Sequence, residues 1–257
     1  MRLFGPPSIK KLESKRDVAA LVEALQPPDP ARSRDVARAQ EAAAALGRLG
    51  DPAAGLALIN ALTDEGLRGV AAASLVAIGP EVVDVLVMGL RQAHPDVKEA
   101  SGDPNVRVAI AQILGRVGDQ RAVDPLITAL DDVPEVGLAA TEALGRLKDE
   151  RAVEPLTRLT AHFGITAVGA LGELGGEQAT VAVVDWVMPD GPDGQVRSDP
   201  DEAAAAIRAL GRLGPAEIVS PVIERISSHF PEPGTPYGDL IHEAVSDAEA
   251  SLSASVS

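Results

Sequence analysis

The stretch that decides the fold is "AAAALGRLGDPAAGLALINAL", residues 42–62. A similar stretch, "ILGRVGDQRAVDPLITAL", occupies residues 113–130, and both carry two glycines at the same places. The last residue of the "LGRLG" phrase recurs at intervals of 27 to 39 residues, at Gly50, Gly79, Gly118, Lys148, Gly175 and Gly214. Six copies of a unit of about 30 residues indicate an array of stacked supersecondary units.

Each repeat is predicted to hold two helices, called A and B. In the third repeat, Val106, Ile110 and Ile113 fall on one face of helix A. The glycine that ends the phrase suits a left-handed helix C-cap. The residue after it is an aspartate that can cap helix B in three repeats, at Asp51, Asp119 and Asp149. Prolines share a column near the start of helix B, where a missing amide costs least, at Pro125, Pro155 and Pro221.

The inner position of the phrase holds glycine in five of the six repeats. Glycine inside a helix costs about 1 kcal/mol relative to alanine, so its recurrence predicts that a neighbouring helix passes close to this point. The column reads Gly47, Val76, Gly115, Gly145, Gly172 and Gly211.

The phrase "ALGRLGDxRAVxPLxxAL" resembles the short HEAT-like repeats of the phycobilisome-lyase type over about residues 34–230. The resemblance implies an all-α fold, an α-solenoid (superhelix) of stacked HEAT-like helical hairpins. We expect a single domain over residues 1–257. It would comprise an N-terminal capping helical pair (9–33), six repeats (34–230) and a C-terminal capping helix with a tail (237–257).

Composition narrows the class of partner. The formal net charge is −15, which opposes binding to nucleic acid. The acidic surface is either an adaptation to high salt or a face that recruits a basic partner. The chain has no cysteine, no visible signal peptide and no apolar run near the roughly 20 residues of a membrane span. We therefore expect a cytoplasmic protein that binds no membrane, either monomeric or part of a hetero-complex.

The motifs of catalysis are not found. Enzymes resembling deoxyhypusine hydroxylase carry His-Glu pairs on several A helices, seven residues before the inner glycine, but the pair here is His242-Glu243 near the C-terminus. No phosphate loop or nucleophile elbow is present. We therefore predict no catalytic residue, no metal and no cofactor. If the chain were a bilin lyase, Trp186 and Met188 would line an apolar pocket, or cradle, for the chromophore. The alternative is that Trp186 packs in the core, because it aligns with the core residue Ala129 of the third repeat.

The leading hypothesis is a non-enzymatic scaffold or adaptor that binds another protein. The alternative is an enzyme or enzyme subunit of the bilin-lyase type, or a distant metal-dependent oxidoreductase resembling deoxyhypusine hydroxylase. In relatives the B helices usually line the binding face. One B-helix column reads Asn60, Met88, Thr128, Arg158, Asp185 and Glu224, and a second reads Asp84, Asp124, Glu154, Val181 and Ser220. The predicted partner-binding residues are Asp124, Glu154, Arg158 and Asp185.

Two further features lie outside this face. Two insertions, residues 91–103 and 188–200, are predicted loops that end in an N-cap aspartate and a first-turn proline, Asp103-Pro104 and Asp199-Pro200. An arginine column in the last turn of the A helices is predicted to stabilise those helices through their dipoles. It comprises Arg48, Arg116, Arg146 and Arg212.

Overall fold

The computed structural model of the chain describes residues 7–25, 33–91, 102–189, 195–197, 199–214, 216–230 and 233–255. In these ranges the regular secondary structure is helical, and no strand occurs. The α-helices are α1 (Ile9–Ser14), α2 (Val18–Glu23), α3 (Ser33–Leu49), α4 (Gly55–Ala61), α5 (Glu65–Ile78), α6 (Val83–Leu90), α7 (Pro104–Val117), α8 (Val123–Ala129), α9 (Pro134–Leu147), α10 (Val153–Leu174), α11 (Glu177–Val187), α12 (Pro200–Leu213), α13 (Ala216–Ser228) and α14 (Pro236–Ser255).

The helices form two compact units, Met1–Ala140 and Thr141–Ser257. In the first unit, α1 and α2 pack on α3, α3 packs on α5, and α5 and α6 pack on α7. In the second unit, α10 packs on α11 and α12, and α12 packs on α13 and α14. Each unit is thus a stack of A/B hairpins closed by a terminal element, which confirms the predicted all-α class of stacked HEAT-like hairpins. The prediction of a single domain stays a prediction.

The residue that ends each A helix takes a positive φ in five repeats. At Gly118 φ is 76°, in the left-handed region that glycine adopts without strain. Lys148 replaces glycine in the fourth repeat and still has a φ of 53°. The prediction of a left-handed cap is wrong at Gly214, which is extended with a φ of −150°. It also fails at Gly79 and Gly175, where φ is positive but ψ is −143° and −178°, outside the left-handed helical region.

The aspartates after the A helices cap the B helices as predicted. The Oδ1 atom accepts the backbone N–H two residues on at 2.9 Å, from Ala53 to Asp51, from Arg121 to Asp119 and from Arg151 to Asp149. Each cap begins a short 3₁₀ turn, and the α-helix follows it.

The proline column departs from the expectation at one position. Pro125 and Pro155 are third residues of their α-helices, after the 3₁₀ turn. Pro221, in contrast, lies inside α13, which begins at Ala216. The prediction of a position near the helix start is therefore wrong for Pro221.

The fourth and fifth repeats join without a separate turn. Helix α10 contains the B helix of one and the A helix of the next, with non-helical dihedral angles at Phe163 (φ −113°, ψ 15°) and Gly164 (φ 15°, ψ −95°). This joint lies in the shortest interval between repeat phrases, 27 residues from Lys148 to Gly175. A two-residue kink replaces the loop for which the spacing leaves no room.

Four of the five inner glycines lie against a neighbouring helix, as predicted, while at Gly115 the close approach stays a prediction. An ideal Cβ atom built on any of four of these glycines would come within 3.0 Å of a backbone Cα atom, far inside normal contact distance. The four pairs and their Cβ–Cα distances are Gly47 with Ser74 at 2.8 Å, Gly145 with Ala170 at 2.9 Å, Gly172 with Ala209 at 2.9 Å and Gly211 with Ala248 at 2.5 Å. In the first three pairs the partner is the residue two positions before the inner position of the next A helix, and in the fourth pair it lies on the C-terminal helix α14.

One apolar stretch corrects the expectation that no run of the sequence approaches the length of a membrane span. Residues Glu65–Leu90 are long and apolar enough to cross a membrane by length and composition alone, and an 18-residue window within them has a mean hydropathy of 1.9. The backbone interrupts this stretch at Gly79, where φ is 84° and ψ is −143°. Helix α5 has 14 residues and is therefore about 21 Å long, short of the roughly 30 Å hydrocarbon core.

The two insertions are described only in part. Residues 92–101, 190–194 and 198 lie outside the described ranges, so the predicted loops 91–103 and 188–200 are tested only at their ends. Asp103 accepts the amide of Asn105 at 2.9 Å, and Asp199 accepts those of Asp201 and Glu202 at 2.9 and 3.1 Å. Both predicted Asp-Pro helix starts are confirmed.

Candidate protein-binding face

The B helices of the first unit present both predicted columns to solvent. Asp84, Asp124, Met88, Thr128 and Asn60 are exposed. The positions between them are buried, as the sequence alternation indicated, and include Leu86, Leu126 and Ala129. These B helices therefore have one face in the core and one face free of core contacts.

Arg121 reduces the negative charge of the first unit's face. Its guanidinium donates to Asp84 at 3.0 Å, to Asp119 at 2.8 and 3.0 Å, and to the Pro80 carbonyl at 2.7 Å. The hydrogen bond from Arg121 holds the pKa of the Asp119 carboxyl below its usual value. Arg121 thus connects two successive B helices and neutralises part of the predicted acidic ridge.

The second unit presents the same two columns. Glu154, Arg158, Asp185, Val181 and Glu224 are exposed. Glu154 and Arg158 form an ion pair across one helical turn, with Oε1 and Nε 3.0 Å apart and side chains that are 75% and 69% exposed. Such an exposed pair contributes at most about 0.5 kcal/mol, so both groups remain available to a partner.

Of the four predicted binding residues, the structure brings Glu154 and Arg158 into direct contact. Asp185 lies on α11, in the same unit, at the position of its column that follows Arg158. Asp124 belongs to the first unit, where its backbone carbonyl accepts a hydrogen bond from the Thr128 hydroxyl at 3.0 Å. All four are exposed, and their role in binding stays a prediction.

The arginine column lies in the last turn of the A helices, as predicted. Arg48 donates to both oxygens of Glu13 in the N-terminal helix α1, at 2.7 and 2.9 Å. This hydrogen bond lowers the pKa of Glu13. The first member of the column therefore also holds the terminal cap in place.

The buried ion pair of the first unit was not predicted from the sequence. The Arg107 side chain is only 5% exposed and donates to both oxygens of Asp132, at 2.7 and 2.8 Å, and to the Gly102 carbonyl at 3.1 Å. Hydrogen bonding to Arg107 lowers the pKa of Asp132. Arg68 holds the equivalent position of the second repeat and donates to the Leu62 carbonyl at 2.9 Å. The recurrence of arginine at this position of the repeat alignment was the available sequence signal for this contact.

The candidate residues for metal or chromophore binding do not form one cluster in the part of the chain that the structure describes. His242 and Glu243 are exposed on α14, while His94 lies outside the described residues. Within the described ranges, no three His, Asp or Glu side chains are close enough together to hold a metal ion. Trp186 and Met188 are buried, so they belong to the core, as the alignment with Ala129 indicated, and line no open cradle.

Comparison with known proteins identifies the repeats. A family model of HEAT repeats matches residues 97–162, and a model of the PBS lyase HEAT-like repeat matches residues 39–64. The chain therefore contains HEAT repeats, including one of the phycobilisome-lyase type, which confirms the resemblance found in the sequence.

The chain is similar to a curated protein and to a complex among the solved structures. It is 35% identical over 138 residues to a "HEAT repeat-containing taxis protein" of Halobacterium salinarum. The match covers 48% of this chain and 33% of that relative, so the chain spans only a third of the relative's length. Among solved structures, the complex of CpcE and CpcF of phycocyanin lyase from Nostoc sp. is similar at 21% identity. That match has a TM-score of 0.37 and covers 94% of this chain and 85% of the other.

Proposed function

We propose that the chain is a non-enzymatic protein-binding scaffold that uses the exposed face of its B helices. The observation that carries the proposal is that, in both units, every described member of the two B-helix columns is exposed, while neighbouring positions form the core. Within each unit, a repeated face of this kind is a surface to which another protein can bind. The similarity of half of the chain to a taxis protein supports a partner that acts in taxis.

The partner chemistry follows from charge. Asp124 in the first unit and Glu154 and Asp185 in the second give the face an acidic character, within a chain of net charge −15. Such a face attracts a basic partner and accelerates its association at low ionic strength. Val181, 53% exposed on the same column, adds an apolar contact.

Affinity capture from the native cell, followed by mass spectrometry, tests the proposal. The variant Asp124→Lys/Glu154→Lys should capture less of the partner that the wild-type chain captures. The matched control is Glu41→Lys/Glu173→Lys, which changes the net charge equally at exposed positions on A helices. Equal capture by both variants and the wild type would refute the assignment of the B-helix face.

A second candidate is an enzyme or enzyme subunit of the bilin-lyase type. The match of residues 39–64 to the PBS lyase HEAT-like repeat supports it. Protein purified from the native cell would then carry a chromophore with visible absorbance. Stoichiometric iron in the same sample would instead favour the metal-dependent oxidoreductase.

A further inference from the structure

Trp186 is the sole tryptophan of the chain and lies in α11, at a position where the third repeat has alanine. The residue is 7% exposed, and its indole Nε1–H has no acceptor. A buried donor without an acceptor is unfavourable. Burial of the large apolar ring and the contact made through its aromatic face offset this cost.

That face is covered by the guanidinium of Arg197. The Cζ atom of Arg197 lies 4.7 Å from the ring centroid of Trp186. Its Nε donates to the Trp186 carbonyl at 2.6 Å, and its Nη1 donates to the Glu202 carboxylate at 3.2 Å. An aromatic face, a carbonyl and a carboxylate around one planar cation are the groups that recognise arginine in preference to lysine.

The receiving groups belong to the repeats, whereas the occupant belongs to the insertion. Trp186 lies on α11 and Glu202 lies in the first turn of α12, where its backbone amide is held by the Asp199 cap at 3.1 Å. Gly164, at the kink of α10, lies beside both groups: a Cβ atom there would be in ordinary van der Waals contact, 3.6 Å from Trp186 Cζ2 and 3.9 Å from Glu202 Oε1. Arg197 lies outside any helix, and its side chain is 38% exposed.

We infer that the Trp186 ring, the Trp186 carbonyl and the Glu202 carboxylate form a receptor for a guanidinium group. Arg197 fills this receptor in cis, and an arginine side chain of a basic protein partner can replace it in trans. The inference rests on the proposed protein-binding function for the identity of the partner, but not for the chemistry of the receptor. Because the site is filled in cis, its apparent affinity for an external arginine is reduced by the fraction of time that Arg197 occupies it.

The first test uses the Arg197→Ala variant, the probe ethylguanidinium chloride at millimolar concentration, and the fluorescence of Trp186 as the readout. We expect a saturable change in emission for the variant. The wild type, whose site is filled, should bind ethylguanidinium at least about tenfold more weakly. Ethylammonium, which has the charge but lacks the planar donors, should bind the variant about tenfold more weakly than ethylguanidinium. Glu202→Gln in the same background should also weaken binding of ethylguanidinium.

A second readout needs no variant. N-acetyl-arginine amide should change the Trp186 emission of the wild-type protein, and the uncharged citrulline analogue should not. Equal responses to the two compounds, or no saturable response of Arg197→Ala to ethylguanidinium, would overturn the receptor. The proposed scaffold would survive that result, because its own test measures capture of a partner by the B-helix columns.

Discussion

Gly211 of α12 and Ala248 of α14 are so close that a Cβ atom on Gly211 would lie 2.5 Å from the Cα atom of Ala248. Three other pairs of successive A helices make the same contact. The glycine that weakens each helix locally is therefore the residue that allows the next helix to approach. The partners of Gly145, Gly172 and Gly211 are all alanines, so small residues meet on both sides of these interfaces.

Substitution of alanine for Gly172 should destabilise the protein. The added methyl group would lie 2.9 Å from Ala209 Cα, and overpacking of this kind costs about 1–3 kcal/mol. Gly169 is the matched control, because it lies in the same helix with no atom within 4 Å of an added Cβ. Gly169→Ala should stabilise by up to about 1 kcal/mol through helix propensity. Thermal denaturation followed by circular dichroism measures both; equal melting temperatures for the two variants would contradict the close-approach explanation.

Replacing Lys148 with glycine should stabilise the second unit. Lys148 has a φ of 53°, and the left-handed region is strained for a residue with a Cβ atom. We expect a gain of about 1 kcal/mol, reduced by the greater entropy of glycine in the unfolded chain. The reverse change, Gly118→Ala, should destabilise, since Gly118 has a φ of 76°. Urea denaturation of the two variants gives the free energies, and opposite signs are expected.

The repeat phrase was sufficient to predict the A/B hairpins, the aspartate caps and the close approach at the inner glycines. These features depend on residues within one repeat or on the next repeat, so they recur with the sequence period. The extended backbone at Gly214 and the internal position of Pro221 were missed because the sixth repeat lacks the aspartate cap and 3₁₀ turn that the first, third and fourth repeats share.

The candidate site was predictable only in part. Exposure of the B-helix columns follows from helical alternation, and the structure agrees with it. The contacts of Arg121 with Asp84 and of Arg197 with Trp186 were not predicted, because long side chains reach partners that helical spacing does not identify. For Arg121, the Asp-x-Arg pattern shared with Asp149 and Arg151 was a usable signal.

Removal of the Asp132 carboxylate should strongly destabilise the first unit. Asp132→Asn removes the negative charge that faces the buried Arg107 guanidinium, and because the Asp132 side chain is 23% exposed we expect a loss of about 1–3 kcal/mol, at or below the range for fully buried pairs. A control, Glu154→Gln, removes an exposed ion pair and should cost less than about 0.5 kcal/mol. Denaturant unfolding at neutral pH measures both; equal losses would show that Arg107 finds other partners.

The same pair predicts a pH dependence. Arg107 lowers the pKa of Asp132 in the folded protein, so the unfolded chain binds more protons as the pH falls. The stabilisation is therefore present above the unfolded pKa, about 3.9, and is lost as the pH falls through the lower, folded value. Asp119 and Asp149 shift in the same direction because of Arg121 and Arg151. Asp132→Asn should reduce the slope of unfolding free energy against pH in this window without abolishing it.

The net charge of −15 predicts that salt stabilises the chain. Repulsion among exposed carboxylates opposes the compact state, and salt screens it, since the Debye length falls from about 30 Å at 0.01 M to about 10 Å at 0.1 M. We expect the melting temperature to rise over this range of potassium chloride and then to level off. A continued steep rise into the molar range would instead favour adaptation to high salt. Glu41→Lys/Glu173→Lys, with a less negative net charge, should respond less than the wild type; an equal or larger response would contradict repulsion as the cause.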